Sequence, residues 1–132
     1  MKKIIILIFT ITFLIGCTII SGNVSNTQII KVESSVYSDK DINDGIKTVF
    51  NYFKKEYKGC KLLNIKYVGD DNNNYDDWAK RNNKEQSIAF ISDYIVYDNR
   101  KVQSLNEQEY TNWNWILVRN KGERWIVVDN GY

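Results

Sequence analysis

One long amphipathic stripe in the first half of the chain limits its fold more than any other feature. Ile42, Ile46, Val49, Phe50, Phe53 and Tyr57 share one face at a period of about 3.6, which predicts a helix from Asp39 to Lys58. Ser38 or Asp39 can accept from the first free N–H groups, and Asp39, Asp41 and Asp44 suit the positive end of the helix dipole. Lys54, Lys55 and Lys58 suit the negative end, and Gly59 supplies a left-handed stop. So many large apolar side chains on one face must be covered, and a chain of 132 residues holds one core to do it.

The cover reads as strands. Lys61 to Val68 alternates Leu63, Ile65 and Tyr67, and Gly69 to Tyr75 is a polar loop. Asp76 to Asn83 reads as a short helix carrying Trp78. Ser87 to Asp98 is a long strand, with Ile88, Phe90, Tyr94 and Val96 on one face and Ala89, Ile91, Ile95 and Tyr97 on the other. Asn99 to Glu109 is a polar connection. Tyr110 to Arg119 and Arg124 to Asp129 form the last two strands around Asn120-Lys121-Gly122, a three-residue loop with Gly in the left-handed position. That register pairs Arg119 with Glu123 and gathers Trp113, Trp115, Leu117, Trp125 and Val127 on one face. A two-residue loop, Lys121-Gly122, would send Trp125 to the other face. The expected class is α+β: one long N-terminal helix on a curved antiparallel sheet of about four strands, plus a short second helix.

The N-terminus carries an address. Lys2 and Lys3 precede an apolar run from Ile4 to Ile15, broken only by Thr10 and Thr12, which is the pattern of a secretory signal peptide. The run is shorter than the roughly 20 apolar residues that a membrane span needs. It ends in Leu14-Ile15-Gly16-Cys17, which resembles the lipobox of bacterial lipoproteins. In that family the Cys thiol receives a diacylglyceryl group and the chain is cut just before it, after a small residue such as Gly16. The resemblance implies a leader over 1–16, lipidated Cys17 with a tether over 17–38, and a globular domain over 39–132, held on the extracellular face of the membrane. Within the tether, Ile29 to Glu33 has the pattern of a short edge strand.

Composition removes several chemistries. The chain has no His and no Pro. The commonest general base and metal ligand are therefore missing, and Ser-His-Asp, Cys-His and His-based zinc sites are excluded. All sixteen acidic residues follow Cys17, and of eighteen Lys and Arg only Lys2 and Lys3 precede it, so a chain cut there is balanced. Such a balance offers no basic excess for nucleic acid. No motif marks a cofactor. If Cys17 is lipidated, Cys60 is the one free thiol, either a small buried hydrophobe or, beside Lys58 and Lys61, a reactive group.

The C-terminal stretch also resembles a known type. Tyr110-Thr-Asn-Trp-Asn-Trp-Ile-Leu-Val-Arg119, Gly122-Glu-Arg-Trp125 and Gly131-Tyr132 are similar to a family of uncharacterised secreted domains and lipoproteins of Firmicutes. The likeness extends over most of 42–132, through Asn51-Tyr-Phe-Lys-Lys, Lys58-Gly-Cys-Lys-Leu62, Tyr67, Trp78-Ala79 and Ile91-Ser92-Asp93. The hairpin is similar, more loosely, to the end of NTF2-like and cystatin-like domains. That likeness implies a sheet wrapped around a helix and carries no activity with it.

Three groups of residues are candidates for a site. Trp113, Trp115 and Trp125, with Tyr110 and Trp78, either fill the core or line a pocket between helix and sheet for a small molecule, glycan or peptide. Asp93, Asn112 and Asn114 are the polar groups such a pocket would use, and paired Asp or Glu carboxylates, Asp93 among them, keep a hydrolase reading open. A contiguous exposed aromatic patch would instead mark an accessory or inhibitor module that binds other envelope proteins. The acidic loop Asp70 to Asp77 fails the EF-hand pattern, because Tyr75 and Arg81 stand where Gly and Glu are needed. It reads as a solvated loop before a helix or as an irregular calcium site. No metal ligand and no catalytic residue is assigned.

Overall fold

The computed structural model describes residues 21–71, 75–97 and 108–132. The elements run β1 (Gln28–Ile30), α1 (Asp39–Glu56), β2 (Cys60–Tyr67), α2 (Asp77–Arg81), β3 (Gln86–Val96), β4 (Glu109–Arg119) and β5 (Ile126–Gly131). The class is α+β, as the alternating patterns require. Ser38 is the N-cap of α1. Its hydroxyl oxygen accepts from the Asp41 N–H at 3.1 Å, while the Asp41 carboxylate accepts from the Ser38 N–H at 3.3 Å. Tyr57 closes the last turn, and Gly59, at φ +77°, turns the chain into β2. Ile46, Val49, Phe53 and Tyr57 are buried. Val49 and Phe53 have no exposed surface, so each contributes about 2 kcal/mol by leaving water. Gly45 lies on the same face. A Cβ there would sit 2.7 Å from the Phe90 ring, so glycine lets α1 approach the sheet closely at this point.

The sheet has five strands in the order β1-β2-β3-β4-β5, rather than the expected four, and it is mixed. β1 pairs parallel to β2 and the other neighbours are antiparallel. α1 is the crossover that a parallel pair needs. The added strand comes from the segment read as a tether, which is built into the domain from Gly22 onward. Gly22 donates to the Lys54 carbonyl at 2.9 Å, and Asn23 exchanges backbone hydrogen bonds with Cys60 and Leu62. The Tyr37 hydroxyl donates to the Ser87 carbonyl at 2.6 Å.

Register shifts at Leu62/Asn64, Ser92/Tyr94 and Ile116/Leu117 bend the strands. At the second, Ser92 pairs with Trp113 and Tyr94 with Tyr110, so Thr111 and Asn112 both stand opposite Asp93. This extra residue carries Tyr110 onto the same face as Trp113, which simple alternation would forbid. α2 covers the opposite face of the sheet, where Ala79, Ala89, Ile116 and Val118 are buried.

The last hairpin differs from expectation in register but not in facing. Leu117 pairs with Val127 and Val118 with Ile126, so the connection is longer than three residues and Arg119 does not pair with Glu123. Up to the Ile116/Leu117 bulge the displacement relative to the expected register is two residues, an even number, so Trp125 and Val127 stay on the core side. Arg119 pairs instead with Gln86 of β3 and reaches α1.

Candidate functional site

Among the described residues the tryptophans open no pocket between helix and sheet, because aromatic rings fill that space. Trp115 is fully buried and its indole N–H donates to the Ser92 hydroxyl at 2.7 Å. The Tyr57 ring meets it edge-on at 5.1 Å and stacks on Phe53 at 5.0 Å. Tyr94 stacks on Tyr110 at 5.1 Å and meets the edge of Trp113 at 5.4 Å. Trp113 is half-buried at the rim of this cluster, where its N–H donates to the Tyr57 oxygen at 3.1 Å. The Tyr57 hydroxyl in turn donates to Asn130 Oδ1. Edge-to-face and offset ring contacts of this kind add about 0.5–1.5 kcal/mol per pair to burial. Burial also pushes the Tyr57 and Tyr94 hydroxyls well above the usual phenol range.

Asp93, Asn112 and Asn114 do not gather at one cavity. Asp93 sits between two bulges and holds both. Its carboxylate accepts from Asn64 Nδ2 at 2.9 Å and from the Asn112 N–H at 3.0 Å, and its own N–H donates to Asn64 Oδ1 at 3.1 Å. Asn112 takes φ +55°, a left-handed conformation that Asn tolerates better than most residues, to make the bulge. Asn114 accepts from the Tyr75 hydroxyl at 3.0 Å and so ties the chain before α2 to the sheet. Asp93 and Asn114 thus hold the fold with their side chains, and Asn112 does so with its backbone, its side chain being exposed.

A different place has the geometry of a site. A groove of about 550 Å³ runs between α1 and the β4–β5 connection. One wall is the stripe Lys40, Asp44, Lys47, Thr48 and Asn51, which helical spacing places side by side. The other is Gly122, Glu123, Arg124 and Trp125, with Asp41 and Arg119 beneath. Arg119 is buried, and three neighbours fix it. Its Nε donates to Gln86 Oε1 and its Nη2 to Asp41 Oδ1, both at 2.8 Å, and its guanidinium lies 4.1 Å from the centre of the Trp125 ring. The Trp125 N–H donates to the Asp41 carbonyl at 3.0 Å. The Arg119 hydrogen bond, helped by Ser38, holds the Asp41 carboxyl below the usual range. Lys40 bridges to Asp44 at 2.7 Å.

No protein-family model, curated protein or solved structure matches this chain. Its chemistry is therefore argued from its own side chains. Of the six sequence candidates in the domain, only Trp125 borders the groove. Arg119, Asp41, Lys47 and Arg124 were missed. The signal for the α1 wall was present, since Lys40, Asp44, Lys47 and Asn51 form a polar stripe beside the apolar one. Which loop would face that stripe depends on the sheet order.

The remaining candidates lie elsewhere. Cys60 is fully buried, and burial raises its thiol to about 11, so it is the small hydrophobe of the two readings. Asp70 accepts from the Ser34 hydroxyl and the Ser35 N–H, both at 2.6 Å, and from the Tyr67 hydroxyl at 2.9 Å. These donors, Ser34 foremost, hold its carboxyl at about 2 and strap the segment before α1 to the end of β2. Residues 72–74 of the acidic loop, and Cys17, lie outside the described residues.

Proposed function

We propose that this chain is a lipid-anchored, non-catalytic binding module on the extracellular face of a bacterial membrane, and that its ligand sits in the groove between α1 and the β4–β5 connection. The groove carries the reading. Its volume falls within the roughly 300–1,000 Å³ of small-molecule sites, and its floor is a rigidly held guanidinium. The filled helix–sheet interface argues against an interior ligand. The anchor rests on Lys2, Lys3, the apolar run and Leu14-Ile15-Gly16-Cys17. A long helix on a bent sheet accords with the resemblance to NTF2-like and cystatin-like domains and to secreted Firmicutes domains. Against the Asp/Glu-dependent hydrolase alternative, Asp93 is spent on the bulges, and Asp41 and Asp44 in the groove are engaged by Arg119 and Lys40.

A second reading, an accessory module that binds another envelope protein, is favoured by one observation. β1 is an edge strand whose Ile29 and Ile30 are 52% and 38% exposed beside a shallow cleft lined by Val32, Ile42 and Ile46. Free strand edges of this kind can accept an extended segment.

Two experiments test the proposal. Fed with labelled fatty acid, cells should label the protein, and Cys17→Ser should abolish the label; label that persists would refute the anchor. The full chain in non-ionic detergent should show a saturable change in tryptophan fluorescence with envelope glycans, peptides or small metabolites. Silence toward every fraction would count against a small ligand and favour the edge-strand reading.

A further inference from the structure

We propose that the groove takes a ligand bearing an oxyanion, a carboxylate or a phosphate, bound by Arg119 from below with Lys47 and Arg124 at the rim. The inference rests on the groove being the binding site and adds the class of ligand.

Charge decides the sign. Seven charged side chains line the groove: Lys40, Lys47, Arg119 and Arg124 against Asp41, Asp44 and Glu123. Two of the carboxylates are already engaged. Asp41 accepts from Arg119 and from the Ser38 N–H, and Asp44 accepts from Lys40. Lys47 and Arg124 make no ion pair among the described residues, and Glu123 is the one carboxylate left to oppose them. A ligand entering here meets an excess of uncommitted cations.

Arg119 makes the site more than a charged surface. Its hydrogen bonds to Gln86 and Asp41 use Nε and Nη2, and its ring contact with Trp125 fixes the guanidinium plane. Nη1 makes no hydrogen bond among the described residues, although the residue lines the groove. A guanidinium already held in place loses little freedom when it binds an oxygen, and charge-assisted hydrogen bonds are roughly twice as strong as neutral ones. The flexible Lys47 and Arg124 then close on the same anion from opposite walls.

The test uses the full chain in non-ionic detergent, labelled with nitrogen-15, with sodium phosphate and sodium citrate as probes and sodium chloride at matched ionic strength as control. Either probe should shift the Trp125 indole and Arg119 Nε–H signals saturably. The Trp78 indole, which packs under Arg81 at 4.5 Å on α2, should stay still. The double variant Lys47→Gln/Arg124→Gln, at exposed positions, should keep the fold and bind about tenfold more weakly. Saturation with phosphate alone or citrate alone each supports the oxyanion site and identifies the preferred source. Equal shifts with chloride, or equal binding by the double variant, would overturn it. If an uncharged fraction of envelope extract moves Trp125 while both anions do not, the ligand class is wrong and the groove survives as the site. If nothing moves Trp125, both proposals fail.

Discussion

Tyr94→Phe should make this protein more stable, and the reason lies in one atom. The Tyr94 side chain has no exposed surface, and its hydroxyl is buried without a hydrogen-bond partner among the described residues. An unpaired buried hydroxyl costs about 1–3 kcal/mol. Removing the oxygen leaves a void of about 10 Å³, which at roughly 24 cal/mol per Å³ gives back about 0.2 kcal/mol. The ring keeps its stack on Tyr110 and its contacts with Phe53, Tyr57 and Trp113. The net expectation is a gain of about 1 kcal/mol, or roughly 4 °C in Tm for a domain of this size. Tyr57→Phe is the control, since the Tyr57 oxygen is paired on both sides, with Trp113 and Asn130. Its loss should cost about 1–3 kcal/mol, because the Trp113 N–H is left without its acceptor. Urea denaturation followed by far-ultraviolet circular dichroism measures both, with an unchanged m value as the sign that only stability moved. A Tyr94→Phe variant destabilised by about 1 kcal/mol, or a neutral Tyr57→Phe, would refute the reasoning.

Three further outcomes are expected. Gly45→Ala gains about 1 kcal/mol of helix propensity but drives a methyl group into the Phe90 ring; overpacking of that kind costs about 1–3 kcal/mol. The variant should therefore unfold at lower urea, and Phe90→Leu in the same chain should restore part of the loss. Asp70, held at about 2 against an ordinary 3.8, contributes stability that is present above pH 3.8 and is lost as pH falls toward 2. Asp70→Asn should flatten the stability profile in that window. Cys60 should resist a thiol reagent at pH 8 in the native state and react promptly in urea; rapid native-state labelling would contradict its burial.

The main helix and the order of the elements after it were legible because their signals are local. The stripe from Ile42 to Tyr57, the cap at Ser38 and the stop at Gly59 specify α1 without reference to anything else. The alternation in β3 specifies which face each side chain takes, whereas in β2 the expected Leu63 gives way to Leu62 in the core, because the bulge between Leu62 and Asn64 breaks the alternation. β1 was expected over Ile29 to Glu33 and lies at Gln28–Ile30, and the segment around it was read as a tether. Gln28, Ile29 and Ile30 are all exposed, so no apolar alternation marks them. What fixes them is pairing with Asn64, Ile65 and Lys66, far along the chain.

Next to the turn the hairpin register was misplaced by two residues, and a slip of two leaves Trp125 and Val127 on their face, so hydrophobic pattern alone cannot detect it. The candidate site was the least legible. Asp93 is a strand acid among apolar neighbours, which looks like chemistry in sequence. Only the bulges at Leu63 and Asn112, on the strands either side of it, reveal that it satisfies the Asn112 N–H and the Asn64 amide. Arg119 looked like an ordinary strand end, and its partners Asp41, Gln86 and Trp125 come from three other segments.

Hydrogen–deuterium exchange of the full chain, with and without a binding fraction of envelope extract, tests the central claim most directly. Binding in the groove predicts new protection at 40–51 and at 119–125, with β2 and β3 unchanged because their amides are already shielded in the middle of the sheet. Protection confined to 28–32, at the β1 edge, would contradict the groove and make the protein-partner reading the better account.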